Sequence, residues 1–279
     1  MLLLTRMLLT AFFTVSLGAP ALAADDGADN ERWQSIRKSL FADRPIAQNA
    51  TDIVELEAPI RAADAAVVPM AIRAKLPQTP ERYIRKLWLV IDKNPSPVGV
   101  AFTLTPGSGL ADIETRVRVE EYTHARAIAE LNDGSLHMHT RFVKASGGCS
   151  APAGKDAEAA LANLGKTKLR VEGPVKPGEP ALAQLMVSHP QTSGLAIDQL
   201  TRLAPAPYFV RSIAISYAGK PVLTADVDFT ISENPSLRFH FVPTAAGGEL
   251  KAEIVDTKDR RFTAAIDVNA RQYAESAVR

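Results

Sequence analysis

The sequence predicts a mostly β protein of two sandwich-like domains, with a short helix in front and a flexible cysteine-bearing linker between them. Three observations lead there. Short runs rich in β-branched and aromatic residues, punctuated by Gly, Pro, Asn and Asp, recur from Thr51 to Val268. The ten residues from Ala145 to Gly154, ASGGCSAPAG, carry no large side chain and split those runs into two blocks. No similarity at a fixed period links the blocks, which argues for two domains rather than a repeat array.

The N-terminus reads as an export signal. Arg6 precedes an apolar run from Met7 to Leu17, and Ala21-Leu22-Ala23 supplies a small-residue cleavage site. Residues 1–23 are therefore expected to be removed, leaving a mature chain in the periplasm. Residues 24–50 follow as a helical segment. Within it, Glu31 to Ala42 places Trp33, Ile36, Leu40 and Phe41 at helical spacing.

The first β block is set at 51–144. Ile84 to Ile91 is a β-rich run stopped by Asp92-Lys93-Asn94-Pro95, and Val98 to Leu104 is stopped by Thr105-Pro106-Gly107-Ser108-Gly109. From Ile113 to Val119 apolar and charged residues alternate at period two, as in a half-buried strand. Asn132-Asp133-Gly134 reads as a hairpin turn into a strand from Leu136 to Val143. Residues 145–166 form the cysteine-bearing arm and linker, with a short helix expected over Asp156–Leu164. The second β block, 167–270, has strands expected at Lys168–Val171, Leu182–Val187, Phe209–Tyr217, Val222–Val227, Leu237–Val242, Leu250–Val255 and Phe262–Val268. Residues 271–279 are a tail.

Composition excludes some partners. The net charge of +1, with no basic block, argues against nucleic acid and anionic membrane surfaces. The chain's one cysteine, Cys149, cannot form an internal disulfide, which is unusual in an oxidising compartment. Its neighbours Gly147, Gly148, Ser150 and Ala151 offer nothing to pack it, so the thiol is expected to be exposed. No histidine is adjacent, and a thiol near its reference pKa of about 8.5 is only a few per cent thiolate at neutral pH. Such a group suits a handle on which other proteins act better than a catalytic nucleophile.

Other candidates carry less chemistry. His137 and His139 share a face of one expected strand, but no third ligand accompanies them, so no metal and no cofactor is assigned. The alternation puts both in solvent, with Leu136, Met138 and Phe142 inward. His124 and His240 stand alone. His189 to Gly194 and Ser232 to Pro235 read as loops. No phosphate-binding glycine loop, paired-cysteine metal site or nucleophile elbow is present, so an enzyme has little support and no catalytic residue is assigned.

Taken in order, these segments resemble the two subunits of the carrier of sulfur-compound oxidation. The first block resembles SoxY through Tyr83–Pro95 (YIRKLWLVIDKNP), Thr115–Val119, and Arg141–Lys144 running into Gly147-Gly148-Cys149. The second resembles SoxZ through Lys168–Val171, His189-Pro190 with Gly194, Pro207-Tyr208-Phe209 and Ser232-Glu233-Asn234-Pro235. The resemblance implies two immunoglobulin-like antiparallel β-sandwiches and a non-enzymatic periplasmic carrier of the thiosulfate-oxidation type. Cys149 would be the covalent attachment point for a sulfur intermediate, on a swinging arm made flexible by Gly147 and Gly148. Its implied partners are periplasmic redox enzymes and c-type cytochromes, in particular a quinoprotein dehydrogenase. Two departures stand out: the arm continues through Ser150-Ala151-Pro152 into the second block, tethering Cys149 on both sides, and of the SoxZ His-Pro-Met-Glu-Thr-Gly pattern only His189, Pro190 and Gly194 are kept. An alternative is a docking module of a quinoprotein dehydrogenase–cytochrome system in which Cys149 carries nothing.

Overall fold

The computed structural model describes residues 30–151, 161–197 and 202–269. The export signal, most of the helix expected over 156–164 and the tail 271–279 lie outside the described residues.

Among the described residues fifteen strands follow helix α1 (Glu31–Phe41): β1 (Ile46–Ala47), β2 (Val54–Glu57), β3 (Val68–Ala74), β4 (Ile84–Ile91), β5 (Val98–Leu104), β6 (Ile113–Val117), β7 (Thr123–Leu131), β8 (Leu136–Val143), β9 (Thr167–Glu172), β10 (Ala181–Val187), β11 (Val210–Tyr217), β12 (Lys220–Val227), β13 (Ser236–Phe241), β14 (Gly248–Asp256) and β15 (Arg261–Val268). They form two sheets. The nine-stranded sheet runs β1-β8-β7-β4-β5-β12-β11-β14-β15, and the six-stranded sheet runs β2-β3-β6-β13-β10-β9.

Both sheets cross from the first half of the chain into the second. In the larger one β5 pairs antiparallel with β12, from Leu104 opposite Leu223 to Val100 opposite Val227. In the smaller one β6 meets β13 at Glu114 and Arg238. Each of these strands would be an unpaired edge in a separate half, and pairing across the join satisfies that edge. The interior is correspondingly one apolar cluster, with Leu56, Ile72 and Phe102 from the first half and Ile215, Phe239 and Phe241 from the second. The two sandwiches are thus fused side by side through both layers.

Helix α1 closes the outer face of the larger sheet. Asn30 caps it, accepting the Trp33 N–H at 2.9 Å. Trp33, Ile36 and Phe41 pack on Val90, Ile128 and Met138 in a second apolar cluster. Leu40, expected on that face, is exposed instead. Between α1 and the interior, β7 is buried along its whole length. Its Arg126 forms a bidentate pair with Asp92, at 2.8 and 2.7 Å, beneath the Trp33 ring. Asp92 belongs to the turn that ends β4.

On β8, His139 is buried, contrary to the solvent-facing position expected for it, because β2 lies over that face. Its Nδ1 accepts the Leu56 N–H at 2.9 Å. His137 is only half-buried and reaches Ser135 Oγ at 3.1 Å. The two histidines therefore have separate partners.

Candidate functional site

The site begins where β6 leaves its ladder. After Val117 the chain turns onto the segment following β12, the Arg118 N–H donating to Thr230 O at 2.7 Å. Asn94 fixes the next residues: its Nδ2 donates to Arg118 O at 2.8 Å and its Oδ1 accepts the Glu120 N–H at 2.9 Å. This departure interrupts the alternation predicted for 113–119, so the Arg118 side chain turns inward and is 4% exposed.

Against this segment lies the arm that follows β8. Lys144 pairs with the chain at Arg61, its N–H donating to Ile60 O at 2.8 Å. The N–H groups of Gly147 and Gly148 then donate to Glu120 O and Val119 O, at 2.8 and 3.0 Å. The two glycines differ in what they do. Gly147 has φ +81° with open space around it, so it serves the turn. Gly148 serves a close approach: a Cβ there would sit 2.0 Å from Ala65 O and 2.8 Å from Val119 N.

The arm ends in a carboxylate clamp. Glu120 Oε2 accepts the N–H of Cys149 at 2.8 Å and of Ser150 at 3.2 Å, while its Oε1 accepts the Ser150 hydroxyl at 2.9 Å. The second half covers the arm from the other side. Ser193 Oγ donates to Cys149 O at 2.6 Å. Arg118 links all three segments, donating through Nη1 to Gly148 O at 3.1 Å and through Nη2 to Gln191 O at 3.2 Å.

The covering loop is itself anchored. Gln191 Oε1 accepts the Val210 N–H at 2.6 Å. His189 packs at a tilt against Tyr208, ring centres 4.5 Å apart, and Tyr208 donates its hydroxyl to Asp256 at 2.7 Å. His189 Nε2 lies 3.6 Å from Asp256, close enough for attraction but long for a hydrogen bond. Asn234 exchanges backbone and side-chain bonds with His189, and its carbonyl accepts from Arg116 of β6 at 2.9 Å. The His189–Gly194 and Ser232–Pro235 segments, read from sequence as separate loops, thus meet at the seam beside Cys149.

Cys149 is fully buried. The expectation of an exposed thiol does not hold in this structure. Small residues lack packing of their own, but Ala65, Glu120, Arg118 and Ser193 come from elsewhere to enclose them. Burial, with Glu120 adding repulsion against the opposing effect of Arg118, pushes the thiol pKa up to about 12. In this position the sulfur is a neutral thiol. Burial likewise lowers His189 to about 4, so the imidazole holding the covering loop is neutral.

Residues 37–149 match the family described as sulfur oxidation protein SoxY, and residues 169–267 match sulphur oxidation protein SoxZ. The chain belongs to the SoxYZ family, with both partners fused in one polypeptide. The SoxY match ends on Cys149 itself. No curated protein matches the fused chain. Among solved structures, the sulfur carrier protein SoxY from Chlorobium limicola f thiosulfatophilum is 18% identical, covering 43% of this chain and 96% of its own, with a TM-score of 0.35. A superoxide reductase (neelaredoxin) from Ignicoccus hospitalis is 18% identical over 36% of this chain and 94% of its own, TM-score 0.30. A β-glycosidase from Bacteroides vulgatus is 12% identical and covers 77% of this chain but only 24% of its own, TM-score 0.23. These structural likenesses add nothing to the family assignment.

Sequence reasoning found Cys149, Gly147 and Gly148 but missed Arg118, Glu120, Asn94 and Ser193. The one available signal was that Arg118 and Glu120 end an alternating strand beside a buried turn.

Proposed function

We propose that this SoxYZ fusion is a non-enzymatic periplasmic carrier that holds a sulfur intermediate covalently on Cys149. The observation that carries this reading is the end of the SoxY match on the chain's one cysteine, at the seam with the SoxZ half. The N-terminal export pattern supports the location. The sheathed arm is then a resting state: a buried neutral thiol resists adventitious oxidation, because the thiolate is the reactive form.

Loading and delivery require residues 145–151 to leave the seam. The geometry suits this, because the arm is held mainly by hydrogen bonds, each worth only about 1 kcal/mol net, rather than by large apolar side chains. Tethered at both ends, the arm emerges as a loop. It presents its cargo to separate redox enzymes and c-type cytochromes, of which a quinoprotein dehydrogenase system is the one proposed.

The test is intact mass. Full-length protein incubated with thiosulfate and sulfur-oxidising partner enzymes should gain an adduct that maps to Cys149 and disappears in Cys149→Ser. An unmodified thiol under every such condition would sink the carrier reading.

A further inference from the structure

The two sheets end in four edge strands, β1, β2, β9 and β15. Three are short, with two residues in β1, four in β2 and six in β9. β15 has eight, and it pairs with β14 without a bulge, from Arg261 opposite Val255 to Val268 opposite Gly248. Among the described residues no strand pairs with its outer edge. Exposed edges invite another strand, and proteins blunt them with shortness, proline, bulges or inward-pointing charge. β15 has none of these devices. Its core side is Phe262, Ala264, Ile266 and Val268, of which the first three are only half-buried where the apolar interior ends.

The open edge also matches itself. The Asp256 N–H donates to Arg260 O at 3.1 Å, so by alternation the even-numbered residues of β15 bond towards β14. The N–H and C=O groups of Arg261, Thr263, Ala265 and Asp267 therefore point to the free side. In an antiparallel pair with its two-fold axis at Ala264, all of these groups find partners on the second copy. Arg261 then lies opposite the second copy's Asp267, and Thr263 opposite its Ala265. On the core side Phe262 meets Ile266, and Ala264 meets its own copy, a small side chain where antiparallel strands come closest.

A charge conflict within one chain points the same way. Asp267 lies opposite Glu249 of β14, and both are exposed. Like charges directly opposite each other destabilise a sheet. Lys251 of β14 does not relieve them, because it pairs with Glu253 at 3.0 Å. Arg261, also exposed, forms no ion pair among the described residues. Across the two-fold axis it supplies the missing cation on the far side of Asp267, once for each copy. We propose that β15 is a self-association edge, through which two copies of this chain form an antiparallel dimer with the larger sheet continuous across both. Each Cys149 arm stays enclosed by its own chain, through Arg118, Glu120 and Ser193, so the dimer needs no disulfide.

The test is sedimentation velocity of the full chain across a dilution series, with dithiothreitol present. A dimer that dissociates on dilution is expected, and Cys149→Ser should leave it unchanged. Asp267→Arg sets like charges opposite each other at both ends of the paired strands and should weaken the dimer about tenfold. Adding Arg261→Asp to that variant should restore it, a rescue that only this register predicts. Ala265→Pro removes an N–H that faces the open edge rather than β14, so it should give a folded monomer. In the unmutated protein, amide exchange at Thr263 and Ala265 should slow as concentration rises. A monomer at every concentration to about 100 μM, above the range in which specific dimers dissociate, overturns the proposal. So does a dimer that Asp267→Arg leaves intact, or one that Cys149→Ser abolishes. If Ala265→Pro fails to fold, the charge exchange and the amide exchange decide.

Discussion

Arg126 and Arg118 are both buried in the SoxY half, eight positions apart, and their surroundings are opposite. Arg126 sits between the two oxygens of Asp92, both side chains essentially inaccessible, with the Trp33 ring 4.2 Å above it. Arg126 belongs to the sheet, Trp33 to the docked helix and Asp92 to the turn that ends β4. Among the described residues Arg118 forms no ion pair with a carboxylate, and it donates to two carbonyls, one on the cysteine arm and one on the SoxZ loop. The first arginine is compensated within a rigid frame. The second is hydrogen-bonded to two segments that lie outside both sheets. The difference teaches that equal burial can be reached in two ways, by an ion pair or by carbonyl dipoles.

The largest effect should come from breaking the rigid case. Arg126→Met leaves Asp92 buried and unpaired, and should lower stability by about 3–5 kcal/mol, read from urea unfolding. A loss under about 1 kcal/mol would show that the pair is not the fixed element described. Next is Gly148→Ala, whose Cβ has no room against Ala65 O. Overpacking of about 3 kcal/mol should expel the arm and speed Cys149 labelling by a disulfide reagent roughly 100-fold. The fold itself should hold, because Gly148 lies outside both sheets.

Glu120→Ala should increase labelling about tenfold by removing the carboxylate clamp, with little change in urea midpoint. Burial of the thiol, with Glu120 adding to it, gives a pH signature. The docked thiol keeps its proton up to about 12 against an ordinary value of 9.0, so between those values the released arm binds fewer protons than the docked one. Docking is therefore fully favourable below pH 9 and weakens about tenfold per pH unit above it. The labelling rate of the native protein should keep rising beyond pH 9, where an unfolded thiol levels off. The smallest change is Ser193→Ala, which removes one hydrogen bond to Cys149 O. Labelling should rise about fivefold, corresponding to about 1 kcal/mol.

Acid acts on the SoxZ side. His189 is lowered to about 4 from 6.5, chiefly by burial, so an unfolded loop takes up a proton that the packed one refuses. The loop's stability is complete above pH 6.5 and falls as pH drops towards 4. Hydrogen exchange over residues 189–194 should accelerate across that window; no change would mean that His189 does not anchor the covering loop.

The legible parts of the fold were those with a repeating local pattern. β4, β5 and β8 were placed with their bounds, because apolar residues alternate and turn formers stop them. The strand β7 was not delimited, since both its faces are buried and its alanines, His124, Arg126 and Glu130 erase the alternation. The candidate site divided in the same way. Cys149 was visible as the chain's one thiol between two recognisable halves, and the glycines beside it were visible as small.

The sequence by itself determined a two-block β chain, its kinship with SoxY and SoxZ, and the place of its one cysteine between the two blocks. Those are properties of local pattern and composition. Only the tertiary structure decided that both sheets run across the join, that Cys149 is enclosed rather than displayed, and that Arg118 bonds the arm to the SoxZ loop. Each depends on which strand edges meet and where β6 leaves its ladder. Such contacts join residues dozens of positions apart, as between Cys149 and Ser193, and no local periodicity encodes them.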